Sequence, residues 1–129
     1  MKRDIENRED VVLLVDSFYS QVRVNPVIGF IFNDVVKVNW EHHLPKMYDF
    51  WSSILLKDHS YSGNPMKIHI DLSKITPLTE VEFLEWLRIF NSTVDEHFKG
   101  DGADLAKFRA RTTAGIMLFK IQTHDEISI

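Results

Sequence analysis

Apolar positions along this chain recur at helical intervals of three and four. Between residues 8 and 24, Val11, Val15, Phe18 and Val22 fall on one stripe, with Leu14 and Tyr19 at its flanks; this spacing predicts an amphipathic helix. Asn25-Pro26 ends it, because proline disfavours helix in the residue before it. The apolar run Ile28-Gly29-Phe30-Ile31-Phe32 that follows has no partner segment with which to pair as strands, so it reads as a turn of helix or 3₁₀. Residues 41–56 predict a second long helix, with Met47, Phe50, Trp51 and Ile54 on one side. An interior proline costs a helix about 3 kcal/mol. The expected start is therefore near His42 or His43, which leaves Pro45 in the first turn.

Residues 57–64 are a polar loop. Asn64 is a good N-cap and Pro65 suits a first helical position, so Met66 to Leu72 predicts a turn or two of helix carrying His69. Thr79-Glu80-Val81-Glu82 is a capping-box pattern. It opens a helix through Phe83, Leu87, Phe90 and Val94 to about Phe98. Gly100-Asp101-Gly102 interrupts the chain, and a last helix is expected from about Ala103 to Ile121, its apolar face formed by Leu105, Phe108, Thr112, Gly115 and Phe119. Four substantial helices, one or two short ones and no convincing strand pair make the expected class all-α.

At 129 residues, 44% of them hydrophobic, the chain has the size of one domain with one real core. It has no cysteine, which excludes disulfides, thiolate metal sites and cysteine nucleophiles and suits a reducing cytoplasm. A net charge of −4 argues against nucleic-acid partners, which need a concentrated basic face. The longest apolar run, Val11 to Val15, is far short of the ~20 residues a bilayer span requires, and the first residues carry no secretory pattern. The expectation is a cytoplasmic protein, monomeric, with no membrane partner.

Chemistry narrows to a few side chains. His43 precedes Met47 and Phe50 by four and seven positions, so the three share a helical face, and His69 follows Met66 by three. For any single histidine, an imidazole bonded to a backbone carbonyl at the edge of the core is the commoner case. Zinc would need three or four ligands at recognisable spacing, and neither HxxxH nor HExxH is present. No Gly-rich phosphate loop and no paired carboxylates stand out. A metal held by one histidine, its other ligands supplied by a porphyrin, is compatible with what remains. Tyr19 and Trp86 each put a polar hydrogen close to an apolar face. Buried Tyr and Trp normally find an acceptor, which a bound electron-rich dioxygen would supply; amphipathic packing with the polar tips in water is the plain alternative.

The order of Phe18-Tyr19, Ile31-Phe32, Trp40, His43-Leu44, Phe50-Trp51, Tyr61-Ser62-Gly63-Asn64-Pro65 leading to His69, and Trp86-Leu87 resembles the truncated haemoglobins, and within them the third group. The resemblance runs from about Asp4 to Ile121, nearly the whole chain, and all five Gly are isolated, without the Gly-Gly pairs typical of the other two groups. It implies a shortened globin fold, a two-over-two helical sandwich around one haem b. It implies His69 as the proximal iron ligand, Tyr19 as the main distal hydrogen-bond donor, Trp86 as a second donor and His43 at the distal histidine position. Phe32 would wedge the haem edge, with Phe30 its competitor for that place, while Met47, Phe50 and Met66 would line the pocket; Lys46, Lys67 and Arg111 are candidate propionate partners. The function implied is reversible binding of O2, NO and CO, with an unidentified reductase as partner. The rival is a haem enzyme carrying out NO dioxygenation or peroxidase-type chemistry. A haem-free helical interaction module is a third reading, against which the presence of His69 speaks.

Overall fold

The computed structural model describes residues 2–35, 37–61 and 78–127, with side chains described through residue 122. The described chain is helical: α1 (Arg8–Val24), a π-helical turn (Ile31–Val35), α2 (Trp40–Leu55), α3 (Glu80–His97) and α4 (Asp101–Ile127). The pair α1–α2 lies over the pair α3–α4, with α1 resting on α3 and α2 reaching α4. The helix expected around Met66 to Leu72 lies outside the described residues.

Local signals account for most of the ends. Asn7 caps α1 by accepting from Asp10 N at 3.0 Å, and Asp10 returns the bond to Asn7 N at 3.3 Å. Thr79 and Glu82 close the same kind of box at α3. The expected stripe of α1 is the centre of the core: Val11, Leu14, Val15, Phe18 and Val22 are buried, packed with Trp51 of α2 and with Phe90 and Val94 of α3. Fully burying a side chain of this size is worth about 1.5–3 kcal/mol, so this stripe is a main source of the free energy that fixes α1. The fully buried polar side chains Thr93 and Ser52 are satisfied. Thr93 donates to Ile89 O at 2.7 Å and accepts from Gln21 Nε2 at 2.9 Å, and Ser52 accepts from Arg8 Nη1 at 3.1 Å.

Three expectations are corrected. The connector after Pro26 is helical, as expected, but it is α-helical only at Gly29 and Phe30 and continues as the wider π-helical turn Ile31–Val35 instead of 3₁₀. Helix α2 begins at Trp40, not at His42 or His43, so Pro45 sits in its second turn. The Asn39 carbonyl starts the helix by accepting from both His42 N and His43 N, and the proline then removes a single bond close to the end, where the loss is smallest.

The third correction concerns α4, which runs from Asp101 to Ile127 and buries the opposite face from the one expected. Ala103, Ala106, Ala110, Ala114, Met117 and Ile121 face the core, whereas Leu105, Phe108, Ile116 and Phe119 are exposed. The alanines let α4 lie close against α3, and close backbone approach brings more atoms into contact than large side chains could at a greater separation. The start of α4 is also unusual. Gly100, at φ +140°, has no side chain with which to cap the helix. Asp4 supplies the cap from the other end of the chain, its carboxylate accepting from Gly102 N and Ala103 N, both at 2.8 Å.

Candidate functional site

Between the two helix pairs lies a cavity of about 300 Å³, at the lower end of the usual range for small-molecule and cofactor sites. Every helix contributes to it: Tyr19 from α1, His43, Met47, Phe50 and Trp51 from α2, Phe83 and Trp86 from α3, Ala114 and Met117 from α4. Ile31 and Phe32 come from the π-helical turn. The chain on either side of residues 62–77 also touches it, at Tyr61 and at Leu78.

Aromatic contacts fix the polar groups in this otherwise apolar space. Phe18 is buried behind the cavity wall and touches two of the donors edge-on, Tyr19 at 4.9 Å and Trp86 at 5.5 Å between ring centroids. Phe90 stacks between Trp51, at 4.7 Å, and Trp86, at 5.5 Å. His43 stands edge-on to Tyr19 at 5.3 Å. Trp40 leans on both, 5.3 Å from Tyr19 and 5.7 Å from His43. Each such aromatic pair is worth about 0.5–1.5 kcal/mol beyond its area burial, so the orientation of the rings is specified by several contacts at once.

Tyr19 is the best-defined polar group. It is 7% exposed, and burial pushes its phenol well above the ordinary tyrosine value. Loss of the proton would leave a charge in a low-dielectric site. The hydroxyl therefore stays a neutral hydrogen-bond donor at any physiological pH. Trp86 offers an indole N–H, which can only donate.

The residues singled out in the sequence sort as follows. Tyr19, Phe32, His43, Met47, Phe50 and Trp86 all line this one cavity. Phe30, the competitor of Phe32, is 46% exposed and points elsewhere. Lys46 lines the cavity, whereas Arg111 sits over the Phe108 ring, 5.7 Å from its centroid on the outer side of α4. Met66, Lys67 and His69 lie outside the described residues. His42 and His59 are exposed, as their polar neighbours suggest; His97 is half-buried, and the side chain of His124 is not among those described. Ala114 and Met117, which also line the cavity, lie on the face of α4 opposite the one its large apolar residues predict. The spacing Ala103, Ala106, Ala110, Ala114 is the signal that would have found them.

The lining suits a porphyrin: apolar side chains for the faces of a flat ring, a lysine for a carboxylate, and two neutral donor residues, Tyr19 and Trp86, in the same wall lining. Among the described residues no group of three or more His, Asp or Glu side chains is arranged to hold a bare metal ion. Nor is any described helix long and apolar enough to cross a membrane.

No family model matches the chain. Among curated proteins, the group 3 truncated haemoglobin of Campylobacter jejuni is 31% identical over 131 residues, spanning 96% of this chain and 100% of that protein. Among solved structures, the group III truncated haemoglobin of the same organism superposes with a TM-score of 0.82 at 27% identity, covering 94% of this chain and 95% of that one. With an all-helical fold, two neutral donor residues lining a largely apolar cavity, and a relative this similar along nearly its whole length, the chain belongs to the group 3 truncated haemoglobins, a family of haem globins.

Proposed function

We propose that this protein reversibly binds O2, and with it NO and CO, on haem b held in the cavity by His69. The observation that carries the proposal is that Tyr19 and Trp86, both neutral donor residues, line one largely apolar cavity. The haem, when bound, supplies a ferrous iron able to take a diatomic ligand. What this chain adds is polarity. Tyr19 donates its hydrogen bond toward an electron-rich diatomic molecule from a buried position, where such a bond is electrostatically stronger than in solvent. Trp86 donates from the neighbouring helix, and His43 flanks Tyr19 at the same end of the cavity. Phe32, Met47 and Phe50, with Met66, give the apolar contacts for the ring, and Lys46 suits a propionate. The assignment of His69 is supported by the chain on both sides of its segment, Tyr61 and Leu78, lining this cavity. The proposal extends to a monomer in a reducing cytoplasm, served by a separate reductase, in keeping with the lack of cysteine.

The test is the visible spectrum of purified protein with and without dithionite and CO. About one haem per chain, with a Soret band that moves on adding CO, is the expected result, and His69→Ala should lose most of the haem. Full haem content and an unchanged spectrum in His69→Ala would overturn the proximal assignment.

A further inference from the structure

Arg23, in the last turn of α1, is exposed, yet its guanidinium stands 4.0 Å from the centroid of the Trp40 ring. Among the described residues no carboxylate pairs with it. Its backbone is held, since Asn33 Nδ2 donates to Arg23 O at 2.8 Å and the connector presses Gly29 against the same carbonyl. A Cβ at Gly29 would lie 3.0 Å from the backbone oxygens of both Arg23 and Val22, so the two stretches of backbone approach here more closely than an ordinary side chain would allow without displacement.

On its inner side Trp40 touches three rings: Tyr19, His43 and Phe32, the last nearly parallel at 5.9 Å. Two helical pairs cross at this point. Tyr19 and Arg23 are four apart on α1, and Trp40 and His43 are three apart on α2, so each pair shares a face of its helix. Trp40 lies across both, with the cation on its solvent side and the ligand-facing rings behind it. A half-buried indole with no cation over it would be held by its inner contacts alone. With the guanidinium over its face, moving the indole outward also breaks a cation–π contact.

From this we infer that Arg23 is a positioning residue: by holding Trp40 against Tyr19 and His43, both of which line the cavity, it restrains their movement where the end of α1 meets the start of α2, and so limits how fast a small diatomic molecule reaches and leaves the site. The inference rests on the proposed function, because it needs a ligand that uses the cavity.

The test uses haem-loaded ferrous protein and CO as the probe. Arg23→Met keeps the aliphatic stem and removes the charge, and should raise the CO association rate about two- to fivefold, the factor equivalent to an exposed cation–π contact. Arg23→Lys should give a smaller rise. In the diamagnetic CO-bound protein, the Trp40 indole N–H should exchange with solvent faster in Arg23→Met, while the melting temperature falls by only the few degrees that losing one exposed contact implies. On a Trp40→Leu background, which should itself speed association, Arg23→Met should add nothing further.

Unchanged CO association and unchanged indole exchange in Arg23→Met would overturn the inference. So would an Arg23→Met effect of the same size with Trp40 removed, since the charge would then act without the indole. If the wild-type protein takes up no haem, the proposed function falls, and indole exchange in wild type against Arg23→Met then decides whether Arg23 holds Trp40.

Discussion

Replacing Tyr19 by Phe removes one oxygen atom from the cavity and little else. The ring keeps its edge-on contacts with Phe18, Phe32 and His43 and its tilted contact with Trp40, so the helix and the cavity wall stay in place. What is lost is a donor that is 7% exposed and protonated at every physiological pH. A hydrogen bond to a ligand carrying negative charge contributes about 1.5–3 kcal/mol. Each 1.4 kcal/mol is a factor of ten, so O2 should dissociate from Tyr19→Phe roughly ten to a hundred times faster. CO carries less negative charge on its outer atom and should respond far less, which separates loss of the donor from a general opening of the cavity. Trp86→Phe should also speed O2 release. The double variant should fall short of the product of the two effects, because both donors serve one ligand and Phe18 packs against both rings. Stopped-flow displacement of O2 by excess CO measures these rates directly. An O2 dissociation rate in Tyr19→Phe equal to that of the wild type would refute the donor role of Tyr19, and equal acceleration for O2 and CO would mean that the variant altered access instead.

Two further predictions concern the frame around the site. Burial pushes the Asp4 carboxyl up, but the backbone N–H groups of Gly102, Ile5 and Ala103 together outweigh it and hold the group below its ordinary value. Its contribution to stability is therefore present in full above the usual aspartate range and is lost as pH falls through the lowered folded value. Asp4→Ala should cost about 1–2 kcal/mol near neutral pH, seen as a lower thermal midpoint, and the gap from wild type should narrow under acid; a constant gap down to the lowest pH would exclude the capping role. On α4, Ala110→Leu should destabilise by about 1–3 kcal/mol, since Ala110 is fully buried. Gly115→Ala, where a Cβ meets nothing within 4 Å, should stabilise by about 0.5–1 kcal/mol. The reverse pair of signs in denaturant melts would mean that the face centred on Phe108 and Phe119 is the buried one.

What was legible in the sequence is what depends on neighbours along the chain. The stripe of α1, the capping box at Thr79 and Glu82, and the stop at Asn25-Pro26 each arise within one or two turns, and each appears in the structure as read. Contacts between distant segments were not legible. Asp4 reaches the start of α4 across almost the entire chain, and nothing near Gly100 announces that its cap will come from there. Trp40 stood out only as part of a family resemblance. Its place between Arg23 and the rings of Tyr19 and His43 exists only once α1 and α2 have packed.

The face of α4 is the instructive failure, because the hydrophobic pattern pointed firmly to the other side. Counting large apolar residues favours Leu105, Phe108 and Phe119, yet these are exposed, and a row of alanines makes the contact. Area burial alone would favour the phenylalanines; helix separation decides against them. A helix that meets its neighbour through alanine can approach closely along its whole length, while one that meets it through phenylalanine must stand off. The same choice shapes the site. Ala114 and Met117 continue the alanine face and line the cavity, so the small side chains that bring α4 close to α3 also leave space beyond the contact. Had α4 turned its phenylalanines inward, they would have filled that space with their own rings. The face that sequence hydrophobicity overlooks is thus the one that keeps a place for a ligand.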